Sequence, residues 1–305
     1  MSHLSPPTGG VAAIVVTYNS ERHLDELLDS LPAAFGDVPF TTIVVDNGST
    51  DGTLALARAR RDCLVVASTN KGYGAGLNEG VRHGGAAEFV LALNPDATLE
   101  PGAVGDLIAQ TARSRVGIVT PLVVEADGQL SLSLRREPTL ARVGGLSFTR
   151  RPRFSEIVYE HSAYERAHVV DWAMGAVMLV TRECWDDLGG FDESFFLYSE
   201  ETDFCLRARD RGWLTYFTPA ARAMHIGGGS GESAATHTMK MVNRVRIFHR
   251  RNGAVRTWLY YLLMLVTEAR RGLLGHRASW VALEALLRPS RRPVQLRCGD
   301  DLLPG

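Results

Sequence analysis

The chain has 305 residues, 45% hydrophobic and 22% charged, with a formal net charge of −1. That length allows one large α/β domain with an appendage or two smaller domains, and the composition excludes disordered, fibrous and membrane-embedded classes. Cys63, Cys184, Cys205 and Cys298 have neither CxxC nor zinc-ligand spacing, which excludes a disulfide framework and a zinc site and predicts inert thiols in a reducing compartment.

The elements follow in order. Val11–Thr17 reads as a strand, and Leu24, Leu27, Leu28 and Leu31 fall on one face of a helix that begins near Ser20. A strand at 42–45 leads to a helix at 51–60 for which Asp51 is a suitable first residue. A strand at 63–67, a glycine-rich loop, a short helix at 75–83 and a strand at 88–93 come next. Pro101 sits where a helix should start, with Val104, Leu107 and Ile108 inward. Val116–Val124 and Leu130–Leu134 flank Asp127-Gly128, a hairpin signal. Residues 135–168 show no period and read as a long functional loop. Ala176–Thr181 is a strand, followed by a short helix to Leu188 and the turn Gly189-Gly190. Ser199 can cap a helix running to Arg211, with Gly212 just past its end, and Trp213–Phe217 reads as a strand. From about 233 onward the signal is helical. The alternation of strands and helices predicts a mainly parallel sheet.

Charge is unevenly spread. Residues 240–297 hold 13 basic side chains against Glu268 and Glu284 alone, whereas residues 1–239 hold 20 against 30 acids. Only Lys71 and Lys240 are lysines, so the basic tail is arginine, which suits planar phosphates. The apolar run Trp258 to Val266 is nine residues long, too short to span a bilayer, which takes about 20. Flanked by Arg250, Arg251, Arg256, Arg270 and Arg271, it reads as an interfacial amphipathic helix or as a helix packed on the α/β domain. Met1 to Gly10 lacks the apolar stretch of a secretory signal. A cytoplasmic location is expected, with peripheral contact at the inner face of an anionic membrane as an open alternative.

Three strands end in polar residues: Thr17-Tyr18-Asn19-Ser20, Asp46-Asn47-Gly48-Ser49-Thr50-Asp51 and Asn94-Pro95-Asp96. Ligands of open α/β sheets bind at such carboxyl ends, so one polar site built from several loops is predicted. In the segment from Asn70 to Gly80 the spacing fails GxGxxG, because Leu77 and Glu79 stand where the third glycine is needed, and this disfavours a nicotinamide-dependent oxidoreductase. Gly72 and Gly76 instead allow close approach to a ligand, with Asn70, Lys71 and Asn78 as polar contacts. Pro95 fixes the direction of Asp96, a single carboxylate that can hold Mg²⁺ if a diphosphate supplies further oxygens. Glu200, Glu201 and Asp203 open a helix after an aromatic run; crowding and an apolar wall would tune one of them as a general base. His225 precedes Gly227-Gly228-Gly229-Ser230, where backbone could meet phosphates, and is a candidate metal or diphosphate contact.

The ordered set resembles glycosyltransferase family 2, nucleotide-sugar transferases of the GT-A fold, and within it bacterial rhamnosyltransferase-like enzymes. It comprises Val16 to Asn19, Val45 to Thr53, Asn70-x-Gly72 on to Asn78, Asn94-Pro95-Asp96, Asp171 to Ala176, Gly189 to Glu193, Glu200-Glu201-x-Asp203 and His225. The resemblance implies a Rossmann-like sheet flanked by helices over 9–232, with a basic helical extension over 233–305. It implies that Thr17, Tyr18, Asn19, Asp46, Asn47, Asn70, Gly72, Gly76, Asn78 and Asn94 serve the donor, with Asp46 facing the base. Asp96 and His225 would hold Mg²⁺ or Mn²⁺, and Trp172, Met174 and Gly175 would line the acceptor side. The family's Glu-Asp pair falls on Glu200-Glu201, which leaves open which of the two is the base. The implied reaction is inverting transfer of rhamnose or a similar sugar from a dTDP- or UDP-sugar to a cell-envelope glycan on a polyprenyl diphosphate. No nucleic-acid partner is expected. A non-catalytic nucleotide-sugar or membrane-binding module on the same fold is the rival reading, and retention of Asp96, Glu201 and His225 argues against it.

Overall fold

The computed structural model describes residues 10–227, 233–299 and 302–303. The leader residues before Gly10 and the Gly228-Gly229-Ser230 portion of the glycine run lie outside the described residues. The first half alternates β1 (Val11–Thr17), α1 (Leu24–Phe35), β2 (Phe40–Asp46), α2 (Thr53–Ala59), β3 (Cys63–Ala67), α3 (Tyr73–His83), β4 (Phe89–Leu93), β5 (Ala97–Leu99), α4 (Ala103–Thr111) and β6 (Val116–Val124). There follow β7 (Leu134–Arg135), α5 (Leu140–Val143), β8 (His168–Val170), β9 (Trp172–Ala173), β10 (Val177–Thr181), α6 (Arg182–Leu188), α7 (Glu200–Asp210) and β11 (Leu214–His225). The helices α8 (Ala234–Arg251), α9 (Ala254–Leu273) and α10 (Arg277–Leu287) complete the chain.

The main sheet has the order β3-β2-β1-β4-β10-β6-β11-β5, with β8 paired to β11. Strands β3, β2, β1 and β4 pair in parallel, as do β6 and β11, and β10 is inserted antiparallel between β4 and β6. Every residue of β1 is buried because helices cover both faces of the sheet. Leu24, Leu27, Leu28 and Leu31 of α1 fill one layer, while Leu77, Val81, Trp185 and Phe204 fill the other. In α3 the glycines recur every fourth residue against alternate residues of β1. A Cβ on Gly76 would meet Val16 at 2.7 Å, one on Gly80 would meet Ile14 at 2.3 Å, and one on Gly84 would meet Ala12 at 2.8 Å. The glycines bring this helix down onto the sheet.

The antiparallel insertion of β10 matters for function. A strand running against its neighbours begins where they end, so the segment before β10 arrives at the carboxyl ends of β1, β2 and β4. The Asn94 amide accordingly donates to the Ala176 carbonyl at 2.9 Å.

Several expectations are corrected. The strand placed at 213–217 continues through a bulge to His225, because Ala223–His225 pair with Ala97–Leu99. The turn at Asp127-Gly128 forms, but beyond the Leu130 bridge its second arm leaves, and Leu134-Arg135 pair with Trp172-Ala173. Residues 135–168 carry α5 and two 3₁₀ turns in place of an unstructured loop. Ser199 precedes α7 without capping it by its side chain, since its φ of 81° turns the residue away from the usual cap geometry. Asp51 accepts from the Thr53 amide at 3.0 Å and so supports α2 from one residue before Gly52.

The C-terminal helices dock on the domain through arginines. Arg250 pairs with Asp192 at 2.6 Å and Arg251 with Asp210 at 2.6 Å, and Arg246 and Arg250 both lie over the Phe195 ring. Two of the arginines flanking the apolar run are thus engaged by the chain's own carboxylates. The helices hold one another by the stacked rings of Phe248 and Tyr260 and by the buried pair His237 and Glu268, 2.7 Å apart. Among the described residues no helix is long and apolar enough to cross a membrane.

Candidate active site

At the carboxyl ends of β1 and β2 the polar groups satisfy each other. Asp46 is buried at the end of β2 and accepts from the Thr17 hydroxyl at 3.0 Å, the Ser49 amide at 3.0 Å and the Ser49 hydroxyl at 2.5 Å. Asn19 takes a left-handed φ of 52°, which turns its side-chain oxygen to accept from the Thr50 amide at 2.8 Å. Its own amide donates to Ser49 at 2.9 Å. Tyr18, just past the end of β1, is 53% exposed. Asn47 donates to the Gly72 carbonyl at 3.2 Å, and Asn70 accepts from the Gly72 amide at 3.2 Å. These bonds stiffen the loops into one frame before any ligand arrives.

Two expected donor contacts do other work. Asn78 points into the loop before α7: it accepts from the Phe191 amide at 2.9 Å and donates to the Phe191 carbonyl at 2.9 Å and to Glu193 at 3.1 Å. Its side chain clasps that loop. Gly76 lies within α3, where Val16 occupies the space a side chain would need, so its smallness serves helix packing. Gly72, with φ of 102°, is pressed against Phe196, whose carbonyl a Cβ would meet at 2.1 Å.

The pairing of β5 with the end of β11 joins Asp96 to His225. Nε2 of His225 lies 3.1 Å from Asp96 Oδ1 and 3.3 Å from Asn94 Nδ2. Burial pushes the Asp96 carboxyl up, but the hydrogen bond and charge of His225 outweigh it and hold the group below the usual carboxylate range. Three side chains with oxygen or nitrogen donors thus converge at the end of β4, with the Asn94 amide free to present its oxygen by rotation. A divalent cation fits this donor set if phosphate oxygens and water complete its shell. Among the described residues there is no group of three or more His, Cys, Asp or Glu side chains that could hold a metal alone.

The start of α7 is built differently. Tyr198 and Ser199 both have positive φ, 61° and 81°, a strained pair for non-glycine residues. The buried amide of Asn243 on α8 holds this turn by donating to the carbonyls of Leu197 at 3.1 Å and Tyr198 at 2.8 Å. The turn delivers Glu200 and Glu201 to the interior, and Oε2 of each is buried without a hydrogen-bond partner among the described residues. Burial, and for Glu200 the charge of its neighbour, push both carboxyls up; Arg135 and Lys240 partly offset this at Glu201. Glu201, not Glu200, lines a cavity of about 410 Å³ closed by Trp172, Met174, Lys240 and Met264. Gly175 lies beside the acid: a Cβ there would stand 3.5 Å from that of Glu201, an ordinary contact.

Tyr73 ties the two acidic centres together. Its hydroxyl donates to the Gly175 carbonyl at 3.3 Å, and its phenol is pushed up by burial and then by the charges of Glu200, Glu201 and Asp96. All three carboxyls therefore lie near this one ring. Tyr73, Arg135, Lys240 and Asn243 were missed in the sequence. The two basic residues carried a weak signal in their charge, whereas Tyr73 and Asn243 carried none.

Residues 6–246 match the family model described as "Glycosyltransferase like family 2". The chain belongs to this family. The glycosyltransferase is 31% identical over 311 residues to the N-acetylglucosaminyl-diphospho-decaprenol L-rhamnosyltransferase of Mycobacterium tuberculosis, covering 95% of this chain and 98% of that protein. It is 26% identical to the rhamnosyltransferase WbbL of Escherichia coli over 79% of this chain and 96% of that one. Among solved structures, the mannosyltransferase PcManGT of Pyrobaculum calidifontis, in complex with GDP-Man and Mn²⁺, superposes with a TM-score of 0.58 at 20% identity, covering 97% of this chain and 85% of that chain. The fold of the glycosyltransferase is GT-A.

Proposed function

We propose that this glycosyltransferase moves rhamnose, with inversion, from a dTDP- or UDP-sugar to a hydroxyl of a glycan carried on a polyprenyl diphosphate. The observation that carries the reading is Glu201, a half-buried side chain whose Oε2 is buried without a hydrogen-bond partner among the described residues, at the wall of a cavity and near the Tyr73 ring that Asp96 also approaches. The kinship with rhamnosyltransferases, one named for a decaprenyl-diphosphate acceptor, supports the sugar and the acceptor.

In this reading Asp46, oriented by Thr17 and Ser49, faces the nucleobase, and Tyr18, Asn19, Asn47 and Asn70 border the nucleoside. Asp96, His225 and Asn94 would hold Mg²⁺ or Mn²⁺, which when bound neutralises charge on the departing diphosphate. Glu201 accepts the proton of the acceptor hydroxyl as that oxygen attacks the anomeric carbon from the face opposite the diphosphate. Its raised pKa makes it a stronger base than an exposed carboxylate, so it holds the proton better as the bond forms. Trp172 and Met174 exclude water from the acceptor, which keeps hydrolysis of the donor from competing.

The outer face of α9 supports peripheral contact with a membrane. Val255, Leu259, Leu262, Val266 and Leu273 form one stripe at helical spacing and are 47% to 78% exposed, while Tyr260, Met264 and Glu268 face inward. Exposed Trp280, Val281 and Leu287 on α10 extend the apolar surface. An interfacial helix of this kind brings the cavity beside the surface from which a lipid-linked acceptor is drawn. The test of the whole reading is release of nucleoside diphosphate from a panel of dTDP-, UDP- and GDP-sugars, with Mn²⁺, in the presence and absence of a prenyl-diphosphate-linked sugar. Acceptor-dependent release with dTDP-rhamnose is expected; no acceptor-dependent release with any donor would refute it.

A further inference from the structure

The cavity beside Glu201 is more cationic than proton abstraction requires. Its lining holds Arg135, Arg142, Lys240, Arg244 and Arg271, against the acids Glu156, Glu201 and Glu268. Two of those acids are already engaged, Glu156 by Arg244 and Glu268 by His237. Arg135 is held by backbone carbonyls of Leu132 and Leu134 and by the Met174 sulfur, with the Trp172 ring 5.9 Å from its carbon. No carboxylate lies within ion-pair distance of it among the described residues. Arg142 likewise donates only to carbonyls, those of Glu137 at 2.6 Å and Pro152 at 3.2 Å. A largely buried guanidinium without an anion is unfavourable, and burial does lower the Arg135 pKa. A planar guanidinium fixed by carbonyls and an aromatic ring is preorganised for a phosphate.

We infer that Arg135, Arg142 and Lys240 form a subsite for the diphosphate of the acceptor, separate from the donor diphosphate at Asp96 and His225. The inference rests on the proposed transferase reading, in which the attacking hydroxyl sits at Glu201. A sugar whose hydroxyl meets Glu201 carries its anomeric phosphate one ring away, and Arg135 and Lys240 are the cations whose charge reaches Glu201. The donor's diphosphate is assigned to Asp96 and His225, neither of which lines this cavity. Charge on the acceptor would thus be read by residues of the 135–142 segment and of α8, and an acceptor lacking it would be rejected because the Arg135 and Arg142 guanidiniums would be left without an anion.

The test uses the full chain and three ligands: N-acetylglucosamine linked through a diphosphate to a short prenyl chain, the same sugar and chain without the diphosphate, and dTDP. Binding is measured by calorimetry, and transfer from the donor by nucleotide release. Arg135→Gln should weaken the diphosphate acceptor by roughly 10- to 100-fold, the loss of charge-assisted hydrogen bonds, while dTDP binds as before. Lys240→Gln, which leaves the carbonyls of Leu132 and Leu134 with their donor, should weaken the same ligand less and guards against local misfolding in the first variant. Equal binding of the two acceptors by the unaltered protein would overturn the subsite, and so would unchanged affinity in both variants. Loss of dTDP affinity in step with acceptor affinity would assign these cations to the donor instead. Tight, Arg135-dependent diphosphate binding with no transfer from any donor would uphold the subsite and refute the transferase reading.

Discussion

The strand ends and the start of α7 handle buried polar groups in opposite ways. Around Asp46 each side chain is matched: three donors meet one carboxylate, and Asn19 and Asn47 bind neighbouring loops. Around Glu201 a strained turn holds two carboxyls whose second oxygens have no partner among the described residues, beside Arg135 and Arg142, which are held by carbonyls and a methionine sulfur. A satisfied network is rigid and suits a constant ligand part such as a nucleoside. An unsatisfied one stores free energy that a reacting substrate can release, and it keeps a carboxylate basic.

Substituting the unsatisfied side should give the largest effects. Glu201→Gln removes the proton acceptor and should lower kcat by roughly 10³-fold with nucleotide affinity retained, checked by nucleotide release and calorimetry. Since both glutamates have raised pKa values, kcat should fall with acidification at a pH above the ordinary carboxyl value of 4.5. The sign for stability is the reverse. A carboxyl whose pKa is raised by folding stabilises the fold fully below its unfolded value and loses that contribution as pH rises through the folded one. Glu200→Gln should therefore raise the melting temperature at neutral pH and flatten its pH dependence; a lowered melting temperature there would contradict the buried-charge account.

On the donor side, Asp96→Ala or chelation of divalent metal should lower turnover by about 10²-fold, or about 3 kcal/mol of charge stabilisation, as read by a metal titration. Asn243→Ala tests whether α8 positions the base. It should reduce kcat by about tenfold and leave donor KM in place, because the turn at Tyr198 and Ser199 relaxes. Asn78→Ala breaks the clasp to Phe191 and should cost about 1–3 kcal/mol of stability by denaturant unfolding, without a matching rise in donor KM. The mildest change in fold stability is expected on the outer face of α9. Leu262→Asp with Val266→Asp should abolish sedimentation with anionic vesicles while shifting unfolding free energy by no more than about 0.5 kcal/mol per site.

The apolar patterning made most of the core legible. Leu24, Leu27, Leu28 and Leu31 are buried as their spacing requires, and the three polar strand ends lie on one side of the sheet, because β1, β2 and β4 run parallel. The glycines of α3 were legible as glycines but not in purpose, since a close approach to a ligand and a close approach to β1 call for the same residue. The extent of β11 was hidden because its continuation depends on β5, a partner over a hundred residues earlier. The arginines of the tail suggested anionic partners. Arg250 and Arg251 found theirs within the chain, which no local pattern could foretell.

What the sequence determined alone was the set of chemical groups and their order: acids after strands, a polar helix start, an apolar helical stripe. Periodicity and short-range sterics act over a few residues, so they are written locally. Tertiary structure decided which groups face each other. It inserted β10 antiparallel, set Gly175 against Glu201, joined Asp96 to His225 through β5, and brought Asn243 to the turn before Glu200 and Lys240 to the cavity at Glu201. Those choices follow from long-range packing, whose partners only the folded chain brings together.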